Sequence, residues 1–325
     1  MRPLQRAILQ RGDTCAWFVF DPADRGHLRE DETLLTTVEE MRAFNPRAVF
    51  VPGNWVPRSI PGVKVEVFHG FGFEKKGHFR VRGEFDLYCT PGPTATQAMQ
   101  RQADKMGFFH VAQTGWPKID ALFAAADESD RSEGKSVVLY APTFSESLTS
   151  APALFAAIRD EIKTGRYRWI CKFHPKMDRD LVARYRTLEA DGLVIADEPD
   201  IVPSLHEADL MLTDTSSVVS EFLLLDKPVV TLRNAAPGPH IHNIERPEEL
   251  AQALSFAVGR PAKLMDAGRE FVNNVHPYRD SLSSDRVLDA VEEFIAHHRA
   301  GLKDKPGNWW RRAQIRRRLK RVGAL

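Results

Sequence analysis

Short apolar runs alternate with helical patterns along the whole chain. In the first half, CAWFVF (15–20), RAVFVP (47–52), VKVEVFH (63–69), FDLYCT (85–90) and FHVAQTG (109–115) have the length and residue types of strands. ETLLTTVEEMRAF, between the first two, places Leu34, Leu35, Val38 and Met41 on one helical face. The polar stretch ADESDRSEGK (126–135) breaks the rhythm and reads as a linker. The pattern restarts at SVVLYAPT (136–143) and continues through YRWICKFHP (167–175), GLVIAD (192–197), ADLMLTD (208–214) and KPVVTL (227–232). Strands separated by helices make βα units and parallel sheets, so the chain is expected to be α/β with two doubly wound, Rossmann-like domains. The expected boundaries are 1–127 and 128–300, followed by a tail at 301–325.

A length of 325 residues, 43% of them hydrophobic, suffices for a core in each domain. Cys15, Cys89 and Cys171 lie far apart with no Cys-x-x-Cys spacing, which excludes a thiolate zinc motif and suggests a reducing compartment. The N-terminus lacks the apolar centre of a signal peptide, and no apolar run approaches 18 residues, so a cytoplasmic protein, soluble or peripheral, is expected. The net charge of +1 hides an asymmetry: residues 301–325 hold nine Lys and Arg against one Asp, leaving residues 1–300 with 36 cations and 43 acids. A basic tail on an acidic body implies a separate anionic partner for the tail.

Ligands of open α/β sheets sit beyond the carboxyl ends of strands. Three such ends carry chemistry. The run at 63–68 leads into His69-Gly70, where an imidazole can serve as a general base near neutral pH; Gly70 and Gly72 would admit a ligand, and Lys75 and Lys76 would add positive charge. A loop histidine beside a glycine turn is the plainer reading. The run at 167–171 ends in Lys172-Phe173-His174-Pro175, where Pro175 restricts His174 to an extended backbone and Lys172 points to the same side, a phosphate-binding pair or else a capping histidine with a solvated lysine. The run at 208–213 leads into Asp214, Thr215, Ser216 and Ser217 before the apolar helix VVSEFLLL, so a hydroxyl cap and outward N–H groups can meet an anion. His240-x-His242 lacks a third ligand and reads as loop, and Gly-x-Gly at 70–72 lacks the third glycine of a dinucleotide fingerprint.

Taken in order, GVKVEVFHG, FDLYCTPGPTATQAM, QTGWPKIDAL, VLYAPTF, KFHPKMD, ADLMLTDTSSVVSEFLLLDKPVV, PGP at 237–239 and HPYRDSLSSDRVLDAVEEFI resemble the CDP-glycerol glycerophosphotransferase family, over roughly residues 60–296. The resemblance implies a GT-B fold, two domains facing a central cleft, with the nucleotide bound mainly by the second. It implies transfer of an alditol phosphate from a CDP-linked donor to a hydroxyl of a glycan or lipid-linked acceptor, with no cofactor and no required metal. By position, His69 matches the proposed base, and His174 with Ser216 and Ser217 matches the donor-phosphate contacts; Lys172, Thr143, Asp214 and Thr215 complete the expected donor set. The chain departs from the family in Phe68 before His-Gly, in Thr215, in Lys172 where Arg is common, and in Phe144-Ser145-Glu146 where a basic residue is usual.

Two alternatives stay open: a GT-B sugar transferase or UDP-sugar 2-epimerase, and a non-catalytic adaptor of polysaccharide assembly. The tail GNWWRRAQIRRRLKRVGAL is expected to be an anchor on the inner face of the membrane. Trp309 and Trp310 would sit at the headgroup boundary, and Arg311, Arg312, Arg316, Arg317 and Arg318 would meet anionic lipid rather than nucleic acid.

Overall fold

The computed structural model describes residues 1–71, 79–124 and 134–325. The chain divides into two compact units, residues 1–121 with 276–325, and residues 122–275.

Unit 1 begins with α1 (Arg2–Gln10) and α2 (Val38–Phe44). The Thr37 hydroxyl and the Glu40 carboxylate cap α2 reciprocally, so this helix starts at Val38 and not at residue 32. Residues 15–20 do not form the expected strand. Trp17 makes one isolated parallel bridge to Leu34, which removes Leu34 from the helix. Four parallel strands follow in the order of the chain: β1 (Ala48–Val51), β2 (Val63–Glu66), β3 (Leu87–Thr90) and β4 (His110–Gln113). Helix α3 (Pro93–Met106) joins β3 to β4, and α4 (Pro117–Ala124) leads into unit 2.

Unit 2 is a six-stranded parallel sheet of β5 (Val137–Tyr140), β6 (Arg168–Cys171), β7 (Leu193–Ile195), β8 (Leu210–Thr213), β9 (Val229–Leu232) and β10 (His242–Ile244). Its spatial order is β10-β9-β8-β5-β6-β7. Between strands run α5 (Ala151–Thr164), α6 (Arg179–Arg186), α7 (Val202–Glu207) and α8 (Val218–Leu223); α9 (Leu250–Val258) and α10 (Ala262–Val275) close the unit. Val138, Tyr140, Trp169, Cys171, Leu210 and Leu212 pack on α5 and α9, while Leu139, Ile170, Met211 and Val229 are buried on the other face. Burial on both faces explains why these strands read as unbroken apolar runs.

After residue 275 the chain returns to unit 1 with α11 (Ser283–Glu293) and α12 (Trp309–Arg321). This departs from the expected boundary at residue 300. Val287, Val291 and Phe294 share a core with Leu4 of α1 and with Val63, Val65 and Leu87 of the sheet. The return is pinned where the Asp120 carboxylate accepts from the Ser283 N–H (2.8 Å), the Ser284 N–H (2.7 Å) and the Ser284 hydroxyl (2.6 Å). Beside it, His276 Nε2 accepts from the Trp116 N–H (3.0 Å), and a side chain at Gly115 would fall 2.4 Å from the Ser283 hydroxyl. The tail is not a free tether either, because Ile315, Leu319 and Ala324 are buried with Val38, Met41 and Ile60. Most of the expected linker, along with Gly72, Lys75 and Lys76, lies outside the described residues.

Candidate active site

In unit 1, β2 ends at Glu66 and the chain turns at Phe68, whose φ of 56° is left-handed, an outlier for a bulky side chain. The Phe68 ring is buried against Tyr88, and the turn places His69 at the surface. His69 Nδ1 lies 2.8 Å from the Pro52 carbonyl oxygen. A carbonyl can only accept, so the proton is on Nδ1 and Nε2 is the basic nitrogen. The tautomer is the one a general base needs. Three residues earlier, burial pushes the Glu66 carboxyl up to about 8, with Arg82 opposing, so this group is neutral at pH 7.

In unit 2, β5 lies between β8 and β6. From β5 the chain winds outward to β6 and β7, then returns to the other side for β8, β9 and β10. Such a reversal is where ligands bind in doubly wound sheets. The loops after β5, β6 and β8 hold Thr143, His174, Ser216 and Ser217 at this edge.

The structure sorts the expected donor set into scaffold and candidate contacts. Asp214 is fully buried and accepts from the Thr143 N–H (2.9 Å), the Ser150 N–H (2.8 Å) and the Ser150 hydroxyl (2.9 Å). Burial raises its pKa and these hydrogen bonds oppose the rise. Its carboxylate clamps the loop after β5, so it is not available to a ligand, and the Thr143 N–H is taken by the same clamp. The Thr215 hydroxyl accepts from the Ala235 N–H (3.0 Å), which ties the loop to the one after β9. Lys172 is buried, and its ammonium donates to the carbonyls of Ala196 (3.1 Å) and Glu198, which removes it from the phosphate pair.

Three candidates remain. Ser217 precedes α8 and is exposed, and Ser216 Oγ accepts from the Val218 N–H at 3.4 Å. Because α8 has six residues, its macrodipole is small, and hydroxyls with first-turn N–H groups are what it presents. His174 is exposed and stacks on Phe144, ring centroids 4.3 Å apart. Neither the Phe144 contact nor the role of Asp214 was visible in the sequence, since both depend on which strands become neighbours. His240 stacks on Phe271 and His242 packs on Phe256, each in its own aromatic contact.

On α12, Trp309 and Trp310 are 67% and 64% exposed and stack on each other at 4.5 Å. Arg312, Arg316, Arg317 and Arg318 are exposed, and Arg318 lies 5.8 Å over the Trp55 ring. Arg311 instead donates to the Asn54 carbonyl (3.2 Å), and burial lowers its pKa, so it belongs to the attachment of the helix.

Residues 74–234 match the profile of the family described as CDP-glycerol:poly(glycerophosphate) glycerophosphotransferase. A teichoic acid glycerol-phosphate primase of Bacillus spizizenii is 32% identical over 128 residues, 36% of this chain and 32% of that protein. The matched segment thus spans about a third of that relative's length. Among solved structures, the wall teichoic acid polymerase TagF superposes with a TM-score of 0.66 at 15% identity, over 91% of this chain and 85% of that one. A putative UDP-N-acetylglucosamine 2-epimerase from Listeria monocytogenes superposes with a TM-score of 0.66 at 16% identity, over 92% and 94%. At such identities the likeness shows the fold, a pair of Rossmann-like units of the GT-B kind. Over residues 74–234, just under half of the chain, the protein is thus similar to the CDP-glycerol:poly(glycerophosphate) glycerophosphotransferase family.

Proposed function

We propose that the protein transfers glycerol phosphate, or a related alditol phosphate, from a CDP-linked donor to a hydroxyl of a glycan or polymer acceptor in surface-polysaccharide synthesis. The observation that carries this reading is the edge at the β5/β8 reversal. There His174, Ser216 and Ser217 lie within the family-matched segment and present neutral hydrogen-bond donors where a sheet of this type holds a ligand. TagF, which shares the fold, was solved after a soak with CDPG.

In this reading the acceptor oxygen attacks the β-phosphorus of the donor. The bond from that phosphorus to the bridging oxygen breaks, and CMP leaves with the bonding electrons. His69 Nε2 takes the acceptor's proton. Hydrogen bonds from unit 2 to the phosphate oxygens stabilise the charge that shifts to the leaving group. We also propose a lipid-linked acceptor and an enzyme that works on the inner face of the membrane, with α12 facing anionic lipid.

The likeness to the 2-epimerase favours a second reading, in which the nucleotide is a UDP-sugar. Thermal shift with CMP, CDP-glycerol, CDP-ribitol and UDP-N-acetylglucosamine separates them, because a ligand at 100 times its Kd stabilises by about 2.7 kcal/mol. Stabilisation by the cytidine nucleotides, with CMP released from CDP-glycerol on adding acceptor, is expected. Stabilisation by the UDP-sugar alone would replace the CDP reading, and nucleotide binding without turnover of any donor would favour the adaptor.

A further inference from the structure

The loop after β6 defines His174 more closely than a generic phosphate contact. The backbone N–H of Lys176 donates to His174 Nδ1 at 3.0 Å. A backbone N–H can only donate, so Nδ1 holds a lone pair and the ring proton sits on Nε2. The loop is further tied by the Met177 N–H, which donates to the His174 carbonyl at 2.8 Å.

From the loop after β5, the Phe144 ring stacks on the imidazole at 4.3 Å with 28° between planes. Phe144 is 40% exposed, so the ring is reachable from solvent at this edge while one face lies against the imidazole. The same loop offers no cation, for no Lys or Arg occurs between Tyr140 and Arg159. Lys172, two residues before His174, is turned into the protein. With exposed Lys176 as the cation two residues after His174, the edge combines an aromatic clamp with an oriented N–H.

We propose that Phe144 is a positioning residue, which holds His174 so that its Nε2–H acts as a neutral hydrogen-bond donor to a phosphate oxygen of a bound nucleotide. The proposal rests on the donor reading only for which nucleotide binds. His174 gives a hydrogen bond and no proton, because a neutral imidazole is too weak an acid to release one to a phosphate. Burial and the Lys176 ammonium both lower the imidazole's pKa, in the same sense as the geometry.

The test uses the full chain with 15N-labelled histidine at pH 7.5, the His174 signals being assigned by their loss in His174→Gln. Expected is a protonated Nε2 with an unprotonated Nδ1, and a shift of the Nε2–H resonance on adding CMP. Phe144→Leu is expected to weaken CMP binding about 3- to 10-fold, the size of one aromatic pair, and to raise KM for the donor by more than it lowers kcat. Phe144→Tyr should restore both. A proton on Nδ1, a doubly protonated ring, or unchanged CMP affinity in Phe144→Leu would overturn the proposal. The same resonance shift with UDP in place of CMP would support it while overturning the CDP donor.

Discussion

Phe68 is held in a left-handed conformation that costs on the order of 1–3 kcal/mol, and the residue it aims is His69. Strain of this kind persists only where the surroundings over-determine it; here the buried Phe68 ring and the Nδ1 bond to Pro52 do so. If His69 is the base, His69→Ala should lower turnover about 10²- to 10⁴-fold while CMP affinity, measured by calorimetry, stays within a few fold. A folded variant that no longer binds CMP would show that His69 serves the nucleotide instead. At this scale the sequence was informative about residue type and not about partners. Asp214 looked like a ligand because it follows a strand next to hydroxyls. It is a clamp because β5 and β8 are neighbours, which brings Thr143 and Ser150 to its carboxylate.

Helix α12 shows the same division at the level of the element. Its composition announces a basic helix with two tryptophans, but its one apolar stripe, Ile315 and Leu319, is used against α2. Around it, Lys305 donates to the Glu84 carbonyl (3.0 Å), Asn308 donates to the Arg82 carbonyl (2.6 Å), and Arg58 donates to the Pro306 carbonyl (2.7 Å). Removing the helix would expose all of this. Leu319→Ala should therefore destabilise the protein by about 2–5 kcal/mol in urea unfolding. The exposed double variant Arg316→Glu with Arg317→Glu should leave stability within about 0.5 kcal/mol and reduce sedimentation with vesicles containing phosphatidylserine at low salt. Equal sedimentation of the variant and the parent chain would rule out the cationic face as a membrane contact.

For the whole molecule, two buried groups give opposite pH dependences. His276 is satisfied as a neutral ring, with Nδ1–H donating to the Tyr278 carbonyl (2.9 Å) and Nε2 accepting from Trp116, and burial pulls it down to about 4. Its depressed folded value contributes stability that is present above about 6.5 and lost as pH falls toward 4. Glu66, raised to about 8, contributes stability that is present below about 4.5 and lost as pH rises toward 8. The two contributions largely cancel from pH 4.5 to 6.5, and of the two only the loss from Glu66 continues from 6.5 to 8, opposed there by the Met1 ammonium, whose pKa burial lowers from 8.0. That window is worth about 2 kcal/mol. Urea unfolding of the parent chain should therefore show a decline between pH 6.5 and 8 that Glu66→Gln removes; a decline of the same size in the variant would place its cause elsewhere.

Repeated apolar runs of strand length determined, without any tertiary information, that the chain is a succession of βα units, and nine of the ten strands among the described residues lie within runs legible in the sequence. Burial on both faces of a parallel sheet writes itself into consecutive residues, so a local pattern suffices. The motif residues at strand ends were legible for the same reason, because a strand's carboxyl end is a local feature. What required the fold was every relation between residues distant in the chain: the return of residues 276–325 to unit 1, the docking of α12, the clamping by Asp214, the turning inward of Lys172 and the stacking of Phe144 on His174. Strand order decides those relations. Order is set by which apolar surfaces and polar groups satisfy one another across the folded chain, and no window of neighbouring residues contains that information.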